Sequence, residues 1–132
     1  YGFLAMAPYT QGDSDGVAAL SATGSGYSVV VVTQRGARAI PIETLPNMDG
    51  GAPPTGLGFG TITSDSNGFV AFVTPSGLVG QLQADGTIAR HPDKPCGADR
   101  AARAPVLLPT RRGGLVLSCP SGKVMSFGAP QP

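Results

Sequence analysis

GTITSDSNGFVAFVTPSGLVGQLQADGTIARHP, residues 60–92, breaks into short apolar runs separated by turn residues. Phe69–Val73 is followed by Thr74-Pro75-Ser76-Gly77. Leu78–Gln83 is followed by Ala84-Asp85-Gly86, and Thr87–His91 closes the stretch. Short β-branched and aromatic runs between Gly, Pro, Asp and Ser clusters read as strands. Asp-Gly between two such runs marks a hairpin, because the turn needs φ > 0 and glycine supplies it without steric cost. Ile62, ahead of Ser64-Asp65-Ser66-Asn67-Gly68, adds a strand in front. The stretch predicts a four-stranded antiparallel meander.

Two more segments align with it. YSVVVVTQRGARAIPI (27–42) and GGLVLSCPSGKVMSFG (113–128) carry the turn glycines Gly36 and Gly122, which match Gly77 at spacings of 41 and 45 residues. Upstream, Leu20-SATGSG, Ile62-TSDSNG and Leu108-PTRRG each end a strand in a polar turn. The chain therefore reads as all-β, with three repeats near 17–45, 60–92 and 105–128. A Gly/Pro-rich loop (46–58) stands where the first repeat's fourth strand is expected, and a connector (92–104) precedes the third repeat. Tyr1–Tyr9 is strand-like and is expected to supply a missing outer strand. Ala98-DRAARA reads as one or two helical turns before Pro105 ends them. The aliphatic runs Val29–Val32, Phe69–Val73 and Leu115–Leu117 predict central strands buried on both faces.

A repeat of this length with four strands per unit is typical of propeller blades. Residues 60–92 resemble a blade of the streptogramin B lyase-like and NHL-like propellers. Gly60, Ile62, Thr63, Gly68, Phe72, Thr74, Val79, Gly80, Leu82, Asp85, Gly86, Thr87 and Ile88 carry the likeness, and the other repeats follow it loosely. The resemblance implies a ring of about six or seven blades in a full-length relative. Three blades form only a partial ring, which further chain, further copies or a partner must complete. The lyases use histidine, glutamate and magnesium at the ring opening. His91 and Glu43 match no such motif, so the activity is not carried over. Three repeats of this length also describe a β-trefoil, which closes as a monomer and is the alternative fold.

Charged residues make up only 13% of the 132 residues, about half the usual share. Twenty Gly and thirteen Pro fill a quarter of the chain and act as turn punctuation. Residues 90–132 hold seven basic residues against Asp93 and Asp99, whereas residues 1–89 hold Arg35 and Arg38 against six acids. The longest fully aliphatic run, Val29–Val32, falls far short of the ~20 residues of a membrane span. The start at Tyr1 without Met reads as a processed mature chain or a piece of a longer one. Cys96 and Cys119 fit either one disulfide or two buried thiols. The disulfide reading implies an oxidising compartment, extracellular or periplasmic.

Chemistry-bearing constellations are sparse. His91 with Asp93 has the parts of a base and its orienter, but no nucleophile motif accompanies them, and a surface strand end explains them. Ser118-Cys119-Pro120-Ser121-Gly122 is a repeat turn rather than a nucleophile turn. Two cysteines and one histidine fall short of the ~four ligands of a zinc site. Gln11-GDSDG lacks the third acid and the closing Glu of an EF-hand. Arg100, Arg103, Arg111 and Arg112 form a candidate interaction patch for an acidic protein or glycan surface. The shortage of interleaved aromatics argues against nucleic acid. No cofactor is expected. The leading expectation is a non-enzymatic interaction or structural module that presents propeller-like loops and blade edges to a protein partner or to further copies. The alternatives are a glycan-binding trefoil and a fragment of a lyase-like propeller enzyme.

Overall fold

The computed structural model describes residues 2–11, 14–23, 25–44, 60–64, 70–83, 86–91, 105–110 and 114–127. These residues are all-β. The strands are β1 (Gly2–Gln11), β2 (Ser14–Thr23), β3 (Gly26–Thr33), β4 (Gly36–Thr44), β5 (Thr61–Ser64), β6 (Val70–Val73), β7 (Val79–Leu82), β8 (Ile88–Arg90), β9 (Val106–Pro109), β10 (Leu115–Ser118) and β11 (Val124–Phe127). They form three antiparallel sheets, each in sequence order: β1-β2-β3-β4, β5-β6-β7-β8 and β9-β10-β11. The expected connector helix at 98–104 and the expected loop at 46–58 lie outside the described residues.

The turns show why the chain folds back where it does. In the second sheet Thr74 N–H donates to Leu78 O at 2.9 Å and Gly77 N–H to Thr74 O at 2.8 Å. The third sheet repeats this: Cys119 N–H to Lys123 O at 2.7 Å and Gly122 N–H to Cys119 O at 2.9 Å. Gly77 and Gly122 have φ of 98° and 99°. Both are three-residue hairpin loops that need a left-handed residue at the third position, where glycine carries no Cβ penalty.

The sheets bracket the first repeat differently from the glycine alignment. β1 is the leading strand of the first sheet, so the β2–β3 turn corresponds to the β6–β7 and β10–β11 turns. Gly36 therefore lies in the turn that corresponds to the β7–β8 turn of Gly86 and is not the counterpart of Gly77; the β2–β3 loop is one residue shorter than the β6–β7 loop, since Thr23 pairs with Gly26 where Thr74 pairs with Leu78. The Thr-x-Ser-Gly sequence still recurs at 23–26 and 74–77, and the hydroxyls agree. Thr23 Oγ1 lies 3.3 Å from Ser25 Oγ, and Thr74 Oγ1 lies 2.8 Å from Ser76 Oγ. The tail of the first sheet needs no replacement strand: its fourth strand, β1, pairs at the opposite edge, along β2. The tight Gln34-Arg35-Gly36 turn looks like the Thr-Pro-Ser-Gly turns in sequence because every hairpin in the chain uses the same residue types.

The sheets stack as layers with β5–β8 in the middle. Ile62, Val70, Phe72 and Leu82 pack into one core with Ala7, Ala18, Leu20, Val29 and Val31 of the first sheet. Ala71, Val73 and Val79, on the other face, pack with Leu107, Leu115, Leu117 and Cys119. Every residue of β6 and β7 is buried. Two-sided burial therefore holds for the middle sheet only. In β3, Val29 and Val31 are buried while Val32 is exposed, and in β10 Val116 is half-buried between Leu115 and Leu117. Among the described residues the outer sheets have a neighbouring sheet on one side only.

Phe72 and Gly80 face each other across β6 and β7. A Cβ on Gly80 would come within 2.5 Å of the Phe72 ring and 3.0 Å of Ala89 O. The glycine is the space into which the ring folds, as aromatic side chains do over strand glycines. The strand prolines Pro8, Pro41 and Pro109 all lie on edge strands, where the missing N–H breaks no ladder. Gly80→Ala is expected to lower stability by about 1–3 kcal/mol through overpacking, and Phe72→Leu in the same chain to recover part of the loss. Urea unfolding midpoints of the two single variants and the double variant measure this coupling.

Candidate functional site

A polar constellation lies where the first sheet meets the second. It begins with a bulge. Glu43 pairs with Tyr27 and Pro41 with Ser28, so Ile42 has no register partner in β3. An extra residue of this kind bends an edge strand and re-aims its groups. Ile42 buries its side chain in the first core. Its carbonyl accepts two hydrogen bonds from Arg90 of β8, 2.9 Å from Nε and 2.7 Å from Nη2. Arg90 Nη2 also reaches Pro41 O at 3.3 Å. The guanidinium fork ties the outer strands of adjacent sheets together.

Beyond the bulge, Glu43 Oε1 accepts a hydrogen bond from Ser76 Oγ and one from Thr74 Oγ1, the latter at 3.4 Å. Leu78 N–H donates to Thr74 Oγ1 at 3.1 Å. Ser76 gives its proton to the carboxylate, so in the 2.8 Å contact between the two hydroxyls Thr74 is the donor and shares its one proton between Ser76 Oγ and the more distant Glu43 Oε1. A short chain runs from the Leu78 amide through two hydroxyls to Glu43. Tyr27 is 1% exposed, and its hydroxyl has no hydrogen-bond partner. Burial, reinforced by the negative charge of Glu43, pushes the Tyr27 phenol up to about 12. Chemically the arrangement is a clamp: a carboxylate of one sheet holds the hairpin turn of the next through charge-assisted hydrogen bonds.

His91 is half-buried at the end of β8, and its backbone N–H donates to Val79 O at 3.0 Å. Val79 occupies in the second sheet the place of Tyr27 in the first, so His91 stands at the register position of Glu43. Asp93 lies outside the described residues, as do Cys96, Arg100, Arg103, Arg111 and Arg112. Of the cysteine pair and the arginine patch the described residues include Cys119, which is buried with Leu107, Leu115 and Leu117. At the β3–β4 turn, Val31, Thr33, Arg35, Gly36, Ala37 and Arg38 line an open depression of about 190 Å³. The Arg38 guanidinium extends from there to the β7–β8 turn, 3.1 Å from where a Cβ on Gly86 would stand.

Sequence reasoning left Glu43 as a strand-end glutamate. The signal that finds its partners is the Thr-x-Ser-Gly pattern at 23–26 and 74–77, which marks turns with a hydroxyl pair. Among the described residues no group of three or more His, Cys, Asp or Glu is placed to hold a metal ion. Among them, too, no helix is long and apolar enough to cross a membrane. No family model, curated protein or solved structure matches the chain.

The phenol of Tyr27 ionises at a higher pH folded than unfolded, so the folded state holds its proton longer. Its contribution is complete below pH 10 and is lost as pH rises from 10 towards about 12. Tyr27→Phe is expected to leave stability at pH 7 equal or higher, because it removes a buried hydroxyl without a partner. It is also expected to flatten the fall of the unfolding midpoint across that alkaline window, as read by denaturation at a series of pH values. Arg90→Lys is expected to cost about 1–2 kcal/mol at neutral pH, because an ammonium cannot reproduce the forked contact. Urea unfolding of this variant measures the loss.

Proposed function

We propose that the chain is a propeller-type, non-catalytic interaction and structural module whose two end faces seat further sheets. The observation that carries this reading is the chemistry of those faces. On the side of the first sheet away from the core, Phe3 is 60%, Met6 65% and Val32 44% exposed. On the far side of the third sheet, Leu108 is 57% and Val124 65% exposed. Two of these positions, Phe3 and Val124, correspond to interior ones. Phe3 pairs with Ser21 as Ile62 pairs with Phe72 and as Leu107 pairs with Leu117, and both Ile62 and Leu107 are buried between sheets. Val124 corresponds to Val79, which is fully buried against the third sheet.

Apolar side chains at repeat positions that are dry elsewhere in the stack mark interaction surfaces. The inner edge supports the same reading, since β5 lies against β1 on one side and β9 on the other. Leading strands that stay adjacent while the sheets radiate outward are the arrangement of propeller blades. A trefoil closes its strands into one barrel, whereas these strands form three separate sheets. The clamps of Glu43 and Arg90 join sheets to each other rather than face a substrate, which favours a structural role over the lyase-like alternative. The proposal includes a Cys96–Cys119 disulfide and, with it, an extracellular or periplasmic location.

Dilute, monomeric chain is expected to bind an apolar-surface dye. Phe3→Ser with Val32→Thr, and Leu108→Ser with Val124→Thr, are each expected to reduce that binding while shifting stability by no more than ~1 kcal/mol. A dilute chain that leaves the dye unbound defeats the reading. Thiol alkylation of the denatured chain before and after reduction checks the disulfide; labelling without reductant rejects it.

A further inference from the structure

We infer that the depression at the β3–β4 turn is an oxyanion site that takes a phosphate group between Arg35 and Arg38. The inference is independent of the end faces. It starts from strand length. β3 and β4 run for eight and nine residues, whereas β7 and β8 run for four and three. Val31 and Thr33 lie on one face of β3, and their register partners in β4 are Arg38 and Gly36. Val31 is buried in the core shared with the second sheet, so this is the face that the second sheet covers. The cover ends at the β7–β8 turn, where the Arg38 guanidinium stands beside Gly86. Past that point a Cβ on Gly36 would meet nothing within 4 Å. The longer hairpin of the first sheet thus leaves an uncovered tip, and that tip is the depression of about 190 Å³.

Charge then singles the place out. Residues 1–89 hold two basic residues against six acids, and both basic residues line this one depression. Two like charges on one hairpin repel each other, and an anion between them relieves the repulsion. Asp15 and Glu43 are the acids among the described residues, and neither faces the depression. Glu43 holds Ser76 at the other end of β4. Asp15 adjoins Gly16, the partner of Thr33, and strand alternation turns it to the opposite face. Asp85, which precedes Gly86, lies outside the described residues.

The donors fit phosphate. Arginine presents a planar fork of N–H groups that matches phosphate oxygens two at a time. Two guanidinium groups carry two positive charges, and a phosphate group carries about −1.5 to −2 at pH 7. A single carboxylate would neutralise only half of the pair. Thr33 Oγ1 accepts from Arg35 N–H at 3.2 Å. That contact sets the turn and leaves the hydroxyl proton to donate to an oxyanion. Both arginines are exposed, so the site suits an exchangeable phosphate, as the free ion or on an ester.

Inorganic phosphate titrated into the isotope-labelled chain at constant ionic strength, followed by amide NMR, tests the inference. The signals of residues 33–38 are expected to move and to saturate. Two charge-assisted contacts correspond to a dissociation constant on the order of 1 mM. Acetate, with one charge, is expected to bind at least roughly tenfold more weakly. Arg35→Gln and Arg38→Gln are each expected to weaken phosphate by roughly tenfold. Arg38→Lys is expected to weaken it as well, because the charge stays but the fork is lost. The dispersion of each variant's spectrum shows whether it folds, and Arg38→Lys stands in for Arg38→Gln if that variant does not. Phosphoserine separates the two sources: binding as tight as phosphate assigns the site to an ester, and weaker binding assigns it to the free ion.

Shifts that grow without saturating, or that persist unchanged in the glutamine variants, would mean an adventitious ion only and overturn the site. Saturable shifts elsewhere with residues 33–38 unmoved would overturn its location. Acetate binding as tightly as phosphate would overturn the match of charge. An unchanged spectrum would overturn the inference outright, and is the result if Asp85 already neutralises the pair.

Discussion

The middle sheet is dry on both faces, and the rest of the structure follows from that. A β-sheet whose two faces are apolar cannot stand at a surface; it must have a layer on either side. Phe72 fills one side and folds over Gly80, while Ala71, Val73 and Val79 fill the other with small and β-branched side chains. The first and third sheets are held by these two faces. Gly60 belongs to the same constraint, since a Cβ there would come within 2.6 Å of Leu20 Cδ2. Close approach of the sheets depends on glycine at the points of contact.

Apolar packing alone would let such layers slide or rotate, because it has little directional preference. The polar contacts at the outer strands supply direction. The bulge at Ile42 presents a carbonyl that has no register partner, and Arg90 caps it with a fork. Glu43 takes the hydroxyls of the Thr74-Pro75-Ser76 turn. Both contacts join the last strand of one sheet to the next sheet, and both use residues whose neighbours in sequence are unremarkable. Their work is to fix the relation between layers.

Much of the fold was legible. The turn chemistry at Thr74-Pro75-Ser76-Gly77 and at Cys119-Pro120-Ser121-Gly122 is local, and the strands around it appear where the apolar runs are. The turn and strand pattern of 60–92 pointed to a four-stranded meander, which the second sheet is. Pairing Gly36 with Gly77 failed for a physical reason. Hairpin turns in this chain share Gly, Ser and Thr, so turn composition cannot say which turn of a unit is which. The hydroxyl pair at Thr23 and Ser25 was the finer signal. Of the site, Glu43 and Arg90 were visible only as charges, because their partners lie 31 to 49 residues away in the chain.

The sequence by itself determined the all-β class and the hairpin turns around 74–77 and 119–122, because φ requirements and two-residue alternation act within a few residues. Only the tertiary structure decided which strand leads the first sheet, which aliphatic runs are dry on both sides, and that Glu43, Thr74 and Ser76 meet. Val29–Val32 and Val70–Val73 are nearly the same to a reader of sequence. One is half-exposed and the other wholly buried, because burial depends on what lies beyond the sheet, and that is set by the stacking of layers rather than by the strand.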